Sequence, residues 1–362
     1  MARHVVFTES SPNVGGQELQ LMQQMRLLGE AGVDCTLACR PGGRVEALAK
    51  RQGLETFPVA FRNSLHPPSI MRLRGLLART RARLLICHSG HDSNNAAVAA
   101  RLVAQRPFIL RSRTYLTGSQ KAFSYNRLFD ATMVPSQFIK DELLRDPAVQ
   151  AARIHVVYPG IDFDLIDAQA EAAMPESVAA WLAAADGPVL LHAAMLRGEK
   201  GHQTLLSALA QLRTKYPTLR YLMAGEGIAR PEIEATIRAL GLASSVLMAG
   251  NVMPVHGLYR HATLVVMPSL FEPLGMSQIE ALALAVPVVA SRTGGIPETV
   301  TDGETGVLVE PGDVNAWVRA LDQALSDPSR MQRMAQAGSE DVRRRFSVAR
   351  NTAQLLAFLP NA

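Results

Sequence analysis

Short apolar runs, many of them β-branched, alternate with helical patterns along the chain, and this alternation is what most restricts its fold. "HVVFT" precedes a Leu/Met-rich helical stretch from Gln17 to Ala31, "CTLAC" precedes "RVEALAKRQ", and "RLLICHS" precedes "NNAAVAARLVA". "PFILRSR", "ATMVPS" and "IHVVYPG" complete the first set. Strands that recur with helices between them belong to a parallel sheet, whose neighbours are joined by crossovers. The region "IDAQAEAAMPESVAAWLAAADG", rich in Ala and acid, loses strand character, and "PVLLHAA" starts the alternation again. "LRYLMAGEG", "VLMAG", "TLVVMPS", "VPVVAS" and "GVLVEPG" follow, and after Asp313 only helical pattern remains. The expectation is an α/β chain of two Rossmann-like, doubly wound parallel-sheet domains facing a cleft, residues 1–165 and 166–345. In such sheets ligands sit at the carboxyl ends of the strands, so functional motifs should directly follow strands.

A chain of 362 residues, 48% apolar and 19% charged, has the material for two cores. No segment approaches the roughly 20 apolar residues of a membrane span, and the longest apolar run, "ALALAVPVVA", is broken by Pro287. The apolar run in "MARHVVFTES" is too short for a secretory signal, so the expected location is cytoplasmic. Cys35, Cys39 and Cys87 form neither a metal clip nor a disulfide framework and read as buried thiols. Residues 1–165 hold 21 Lys and Arg against 13 Asp and Glu, the remainder 16 against 19. The basic first half therefore faces phosphates or an anionic surface, or is simply a solvated basic face.

"MPSLFEPLGMSQIEALALAVPVVAS" holds two acids, Glu272 and Glu280, the second in an almost wholly apolar run. A buried, unpaired carboxylate is costly, so each should meet a partner or a ligand. Pro273 biases Glu272 to an extended conformation at the mouth of the preceding strand. Gly275, Met276 and Ser277 would open the following helix and offer free N–H groups to an anion. The spacing places Glu272 and Glu280 at distances suited to two ends of a nucleoside diphosphate sugar. It is equally open to a core acid paired with an Arg and an ordinary turn residue.

The stretch resembles the E-x7-E motif of the retaining nucleotide-sugar glycosyltransferases of family 4, which have the GT-B fold. The resemblance continues through "VPVVASRTGGIPETVTDGETGVLVEPGD", with "LRGEKGHQTLLSALAQL", "YLMAGEG" and "VLMAGNV" upstream, and covers most of residues 188–315. It implies that Lys200 pairs with the donor diphosphate and that Gly250, Asn251 and Val252 hold the base through main chain. It further implies that Glu280 binds the ribose, and that Glu272 and the residues after it, Pro273, Leu274, Gly275 and Met276, hold the donor sugar. The family usually has an Arg where this chain has Met195; Arg197 either replaces it or is solvated.

In the first half, Gly15 and Gly16 in "SSPNVGGQELQ" follow a strand and open a helix, where a backbone without side chains lets a ligand approach closely. This is not the dinucleotide fingerprint, which argues against a nicotinamide cofactor. The resemblance places the Gly-Gly turn opposite the donor phosphate, with Gln17 beside the acceptor. In "LLICHSGHDSNNAAVAARL", His88 and His91 lack the spacing of a zinc pair, and no metal is expected. Similarity to the family's His-x-His-Glu segment points to His91 as the catalytic histidine, with Asn94 nearby and Asp92 where the family often has an acid. His88 is either an acceptor ligand or a structural histidine at a strand end. Arg111, Arg113 and Lys121 in "RSRTYLTGSQK" follow a strand and are candidates for an acceptor phosphate or carboxylate. "SIMRLRGLLARTRARLL" alternates Leu or Ile with Arg at helical spacing, as in a helix lying on anionic headgroups or one merely solvated. No aromatic residues interleave with the basic ones as nucleic-acid binding requires.

"HVVYPGIDFD" resembles the family's interdomain hinge, with Pro159 in place of Asn, and the C-terminal helix, about residues 346–362, is expected to pack back onto the first domain. Taken whole, the resemblance implies a metal-independent, retaining glycosyltransferase. Its donor-binding domain is residues 166–345 and its acceptor-binding domain residues 1–165. It needs no cofactor beyond a UDP- or GDP-linked sugar as co-substrate. The acceptor would be a phosphorylated glycolipid or oligosaccharide at the cytoplasmic face of the inner membrane, as in lipopolysaccharide core synthesis. A GT-B nucleotide-sugar epimerase and a non-catalytic sugar-nucleotide-binding protein are the alternatives.

Overall fold

In the computed structural model, which describes residues 3–116 and 122–360, the apolar runs build two sheets. The first contains β1 (His4–Glu9), β2 (Asp34–Cys39), β3 (Thr56–Pro58), β4 (Leu84–Cys87), β5 (Phe108–Ser112), β6 (Ala131–Val134) and β7 (Ile154–Val156). Their order is β3-β2-β1-β4-β5-β6-β7. The second contains β8 (Val189–Ala193), β9 (Arg220–Ala224), β10 (Val246–Gly250), β11 (Leu264–Met267), β12 (Val288–Ser291) and β13 (Val307–Val309). Their order is β10-β9-β8-β11-β12-β13. The pairings are parallel throughout. The chain divides into one unit of Met1–Ile161 with Phe346–Ala362 and a second of Asp162–Arg345. The expected class, two doubly wound α/β units, is the one adopted.

Why the strand sequences are apolar without interruption follows from the layers. Successive strand side chains point to opposite faces, and helices cover both faces of a doubly wound sheet. Val5, Phe7, Leu84 and Ile86 accordingly share one core with Leu21, Met22, Met25 and Leu28 of the helix Gly16–Glu30. Val6, Leu85 and Cys87 share the opposite core with Leu73 and Leu77 of the helix Pro67–Thr80 and Ala96 and Ala100 of the helix Gly90–Arg101. In the second unit Leu190, Tyr221, Met223, Leu264 and Val266 pack on Leu205 and Leu209 of the helix His202–Leu212 and on Trp317 and Leu321 of the helix Val314–Ser326.

The final helix, Val348–Leu356, belongs to the first unit, where Leu355 joins the core under the helix Gly16–Glu30. Asn351 on this helix donates to Tyr158 O at 2.6 Å and accepts from Gln24 Nε2 at 3.2 Å. Gly160 lies directly beneath it, since a Cβ there would come within 2.8 Å of the Asn351 Cβ. Cys39 and Cys87 are buried thiols, whereas Cys35 is partly exposed, because Asp34 and Cys35 open β2 before it enters the core. Among the described residues no helix is long and apolar enough to cross a membrane.

Candidate active site

Strand order reverses between β1 and β4 in the first sheet and between β8 and β11 in the second, and each reversal opens a crevice at the strand ends. In the second unit, β8 leads into a 3-10 turn, Gly198–Lys200, and then the helix His202–Leu212. β11 leads into the segment carrying Glu272 and then the helix Ser277–Ala283. The two loops meet: Lys200 Nζ donates to Glu272 Oε2 at 2.6 Å, with side chains only 18% and 10% exposed. Ser269 Oγ also donates to that oxygen, at 3.4 Å.

Main-chain contacts hold these loops together. Gly201, at φ +71°, lies so close to Pro268 that a Cβ would overlap its carbonyl oxygen. Leu270 N donates to Glu199 O at 2.8 Å. From the far side, Gly294 and Gly295 press on the Glu272 and Pro273 carbonyls, with Gly295 N donating to Glu272 O at 2.9 Å. Sequence reading passed over these glycines; "TGG" directly after a strand was the available signal.

Glu280 accepts from Tyr259 OH at 3.1 Å, and His256 Nε2 stands 3.6 Å from the same oxygen. These two, not an arginine, are its neighbours. Beside the helix carrying it lies a pocket of about 200 Å³ lined by Ala194, Met195, Glu226, Asn251, Val252 and Ser277, among others. Ser277 Oγ donates to Ala193 O at 2.6 Å, tying that helix to the end of β8. Gly250, at φ +69°, closes β10 and accepts from Gly225 N at 2.8 Å. Leu274 is buried, Met276 and Met195 are exposed, and Gly275 takes φ +87° beside Gln278. Arg197 stays half-exposed, 3.8 Å from Glu199.

Behind Lys200, His192 and His202 are buried and stacked at 4.4 Å between ring centroids. His192 Nδ1 meets Tyr221 OH at 2.8 Å. Burial, followed by the His202 and Lys200 charges, holds His192 well below the usual imidazole range. Burial likewise takes His202 down to about 4.

In the first unit the loops after β1 and β4 are joined by two acids. Asp92, fully buried, accepts from Thr8 Oγ1 at 2.6 Å, Ser10 Oγ at 3.1 Å and His88 N at 3.1 Å. Burial, and then the charge of Glu9, push its carboxyl up to about 8. Glu9, the last residue of β1, was not singled out in the sequence. It accepts from Ser11 N at 2.7 Å, from Gln17 Nε2 at 2.8 Å and from Ser89 Oγ. Gln17 Oε1 in turn accepts from Thr114 at 2.8 Å. His88 is buried and donates from Nδ1 to Thr8 O at 3.2 Å, which leaves the Nε2 lone pair as its acceptor. Burial takes its pKa to about 4.

His91 is exposed, with Nδ1 3.0 Å from Ser64 Oγ. Gly15 N donates to Glu18 Oε2 at 2.7 Å, and a Cβ on Gly16 would have open space around it. Asn94 is half-buried, while its neighbour Asn95 is fixed by the main chain of Asn63, His66 and His91. Arg111 packs its guanidinium over Tyr125 and Phe129 and donates to Ser124 Oγ at 3.2 Å, so aromatic packing takes up much of its reach. Arg113, just past β5, anchors through its N–H to Met133 O at 2.9 Å. Lys121 lies outside the described residues. Among the described residues no group of three or more His, Cys, Asp or Glu side chains is placed to hold a metal ion.

Two doubly wound units of parallel strands make up the GT-B fold. The fold is shared with a glycosyltransferase from Rickettsia africae (TM-score 0.87, 20% identity, all of both chains). It is also shared with HepE from Anabaena, solved with UDP and glucose (TM-score 0.82, 20% identity, 98% of each chain). The Glycosyltransferase Family 4 model matches residues 14–165 and the Glycosyl transferases group 1 model residues 174–341. The chain thus carries a Glycosyltransferase Family 4 domain followed by a Glycosyl transferases group 1 domain. It is 33% identical to a D-inositol 3-phosphate glycosyltransferase of Corynebacterium kroppenstedtii over 62% of its own length and 52% of the relative. The chain spans about half to three-fifths of the length of the curated relatives it matches.

Proposed function

We propose that the protein transfers a sugar, with retention and without a metal, from a UDP- or GDP-linked donor held by the second unit to a cell-envelope glycan held by the first. The observation that carries this reading is the meeting of Lys200 and Glu272 at the β8/β11 switch point, beside a pocket whose walls include Asn251 and Val252. The base enters that pocket, Glu280 takes the ribose hydroxyls, and Lys200 sets a point charge against the diphosphate. As the glycosidic bond breaks, negative charge grows on the departing phosphate, and a preformed cation there stabilises the transition state. Glu272 accepts hydrogen bonds from the sugar. The acceptor hydroxyl attacks the face the diphosphate leaves. Within the first unit, Gly16, Gln17, His91 and the Nε2 lone pair of His88 contact sugar hydroxyls.

The acceptor we infer is a phosphorylated glycolipid of the lipopolysaccharide core at the cytoplasmic face of the inner membrane. Leu65 and Met71, exposed at 63% and 54%, sit among the exposed Arg62, Arg72 and Arg74 at the helix Pro67–Thr80, a mixture suited to anionic headgroups. Incubation with radiolabelled UDP- and GDP-sugars, with and without core-oligosaccharide lipid, tests the reading. Release of nucleoside diphosphate together with a lengthened lipid is the expected result. Donor altered without any acceptor means an epimerase, and binding without turnover means a silent binding protein. Transfer only to a soluble acceptor removes the lipid.

A further inference from the structure

We infer that, before a donor arrives, Glu272 competes for Lys200 and raises the threshold an anion must meet to bind there. This rests on the donor site proposed above. The ion pair spans 2.6 Å between two mostly buried side chains and shares Glu272 Oε2 with Ser269. An anion reaching Lys200 therefore competes with a carboxylate already in contact with it.

Main-chain contacts brace the loops on either side of the pair. Gly201 abuts Pro268, Leu270 N is bonded to Glu199 O, and Gly294 and Gly295 brace the Glu272 and Pro273 carbonyls. The pair separates by side-chain rotation.

In such a weakly solvated place, exchanging one carboxylate for one phosphate oxygen returns little, because the pair broken resembles the pair made. The remaining oxygens and charge of a diphosphate supply the surplus that overcomes the competitor. Once displaced, the Glu272 carboxylate has lost its cation and is available to hydroxyl donors, which a sugar on that diphosphate supplies. Arrival of the leaving group thus frees the acid that holds the transferred group.

The test uses ligands without a sugar, so that Glu272 has nothing to gain from them. Calorimetric titration with UDP, GDP, inorganic pyrophosphate and inorganic phosphate compares the wild-type chain with Glu272→Gln, Glu272→Asp and Lys200→Gln. Glu272→Gln is expected to bind its nucleoside diphosphate and pyrophosphate about tenfold tighter, with inorganic phosphate tightened by a similar factor because the same pair is broken. Turnover of the complete donor should fall in the same variant. Glu272→Asp, which keeps the charge but retracts it, should give a smaller gain and serves if the glutamine variant fails to fold. In a Lys200→Gln background the gain should vanish, because the interaction being removed is between these two residues.

Wild-type binding of a nucleoside diphosphate that Glu272→Gln leaves unchanged or weakens, in a variant with native melting, overturns the inference alone. A wild-type chain that binds neither UDP nor GDP overturns the donor site and this inference with it.

Discussion

Gly201 shows what a single residue contributes to the donor site. Its φ of +71° is costly for any side chain, and a Cβ would overlap the Pro268 carbonyl. Gly201→Ala should cost about 1–3 kcal/mol in urea unfolding and shift Lys200 away from the diphosphate position, weakening UDP binding further than the lost stability explains. A variant with wild-type stability and affinity would show that the loop contact is dispensable. Some of this site could be read in the sequence. Lys200 and Glu272 each lie shortly after an apolar strand, which is where the crevice rule puts ligand residues. Their pairing could not be read, because 72 positions separate them and only the β8/β11 adjacency brings them together. Glu9 was hidden for the opposite reason: in "FTESSPN" it looks like the first residue of a polar turn. Its burial depends on Gln17 and Ser89 arriving from other elements.

Among the elements, the central strands were legible because each is an unbroken apolar run buried on both faces. β3, three residues long and ending in Pro58, carried too little pattern to be recognised. On the helix Pro67–Thr80 the exposed arginines are also anchored locally: Arg72 and Arg79 stack on Phe57, and Arg72 and Arg74 donate to Pro58 O and Leu102 O. Its basic side is thus held in place by packing that its spacing alone did not reveal. The helix Val348–Leu356 is fixed mainly by polar contacts at Asn351, beyond the apolar seal of Leu355. Asn351→Ala removes one bond from the half-buried Tyr158 carbonyl and takes this partner from the buried Gln24 amide, a buried group whose stranding costs about 1–3 kcal/mol. Hydrogen exchange in the helix Gly16–Glu30 should then rise together with that of the final helix, since the two pack on each other. Faster exchange in the final helix alone would show that it frays independently.

For the whole molecule, acid should weaken the second unit before the first. A histidine whose folded pKa lies below its unfolded value binds fewer protons when folded, so its contribution to stability is lost as pH falls below about 6.5. In the second unit His192 and His202 both act in this direction, His202 down to about 4. His202 alone should remove about 2 kcal/mol between neutrality and pH 5. The first unit has an opposing pair. His88, at about 4, loses stability over the same range, whereas Asp92, raised to about 8, binds its proton more tightly folded than unfolded and gains as pH falls. The two largely offset each other between pH 6.5 and 4, leaving only the lesser depressions of the half-buried His4 and the exposed His155. Both tryptophans, Trp181 and Trp317, lie in Asp162–Arg345, so their fluorescence follows the second unit while far-ultraviolet circular dichroism follows both. Urea midpoints by fluorescence should drop more between pH 7.5 and pH 5 than the upper transition seen by dichroism, and His202→Gln should flatten the fluorescence profile without moving that upper transition. Asp92→Asn should do the reverse, making the first unit acid-sensitive by leaving His88 unopposed. Midpoints that fall in parallel by both probes, in the wild-type chain and in both variants, would mean that these buried groups do not govern the response to acid.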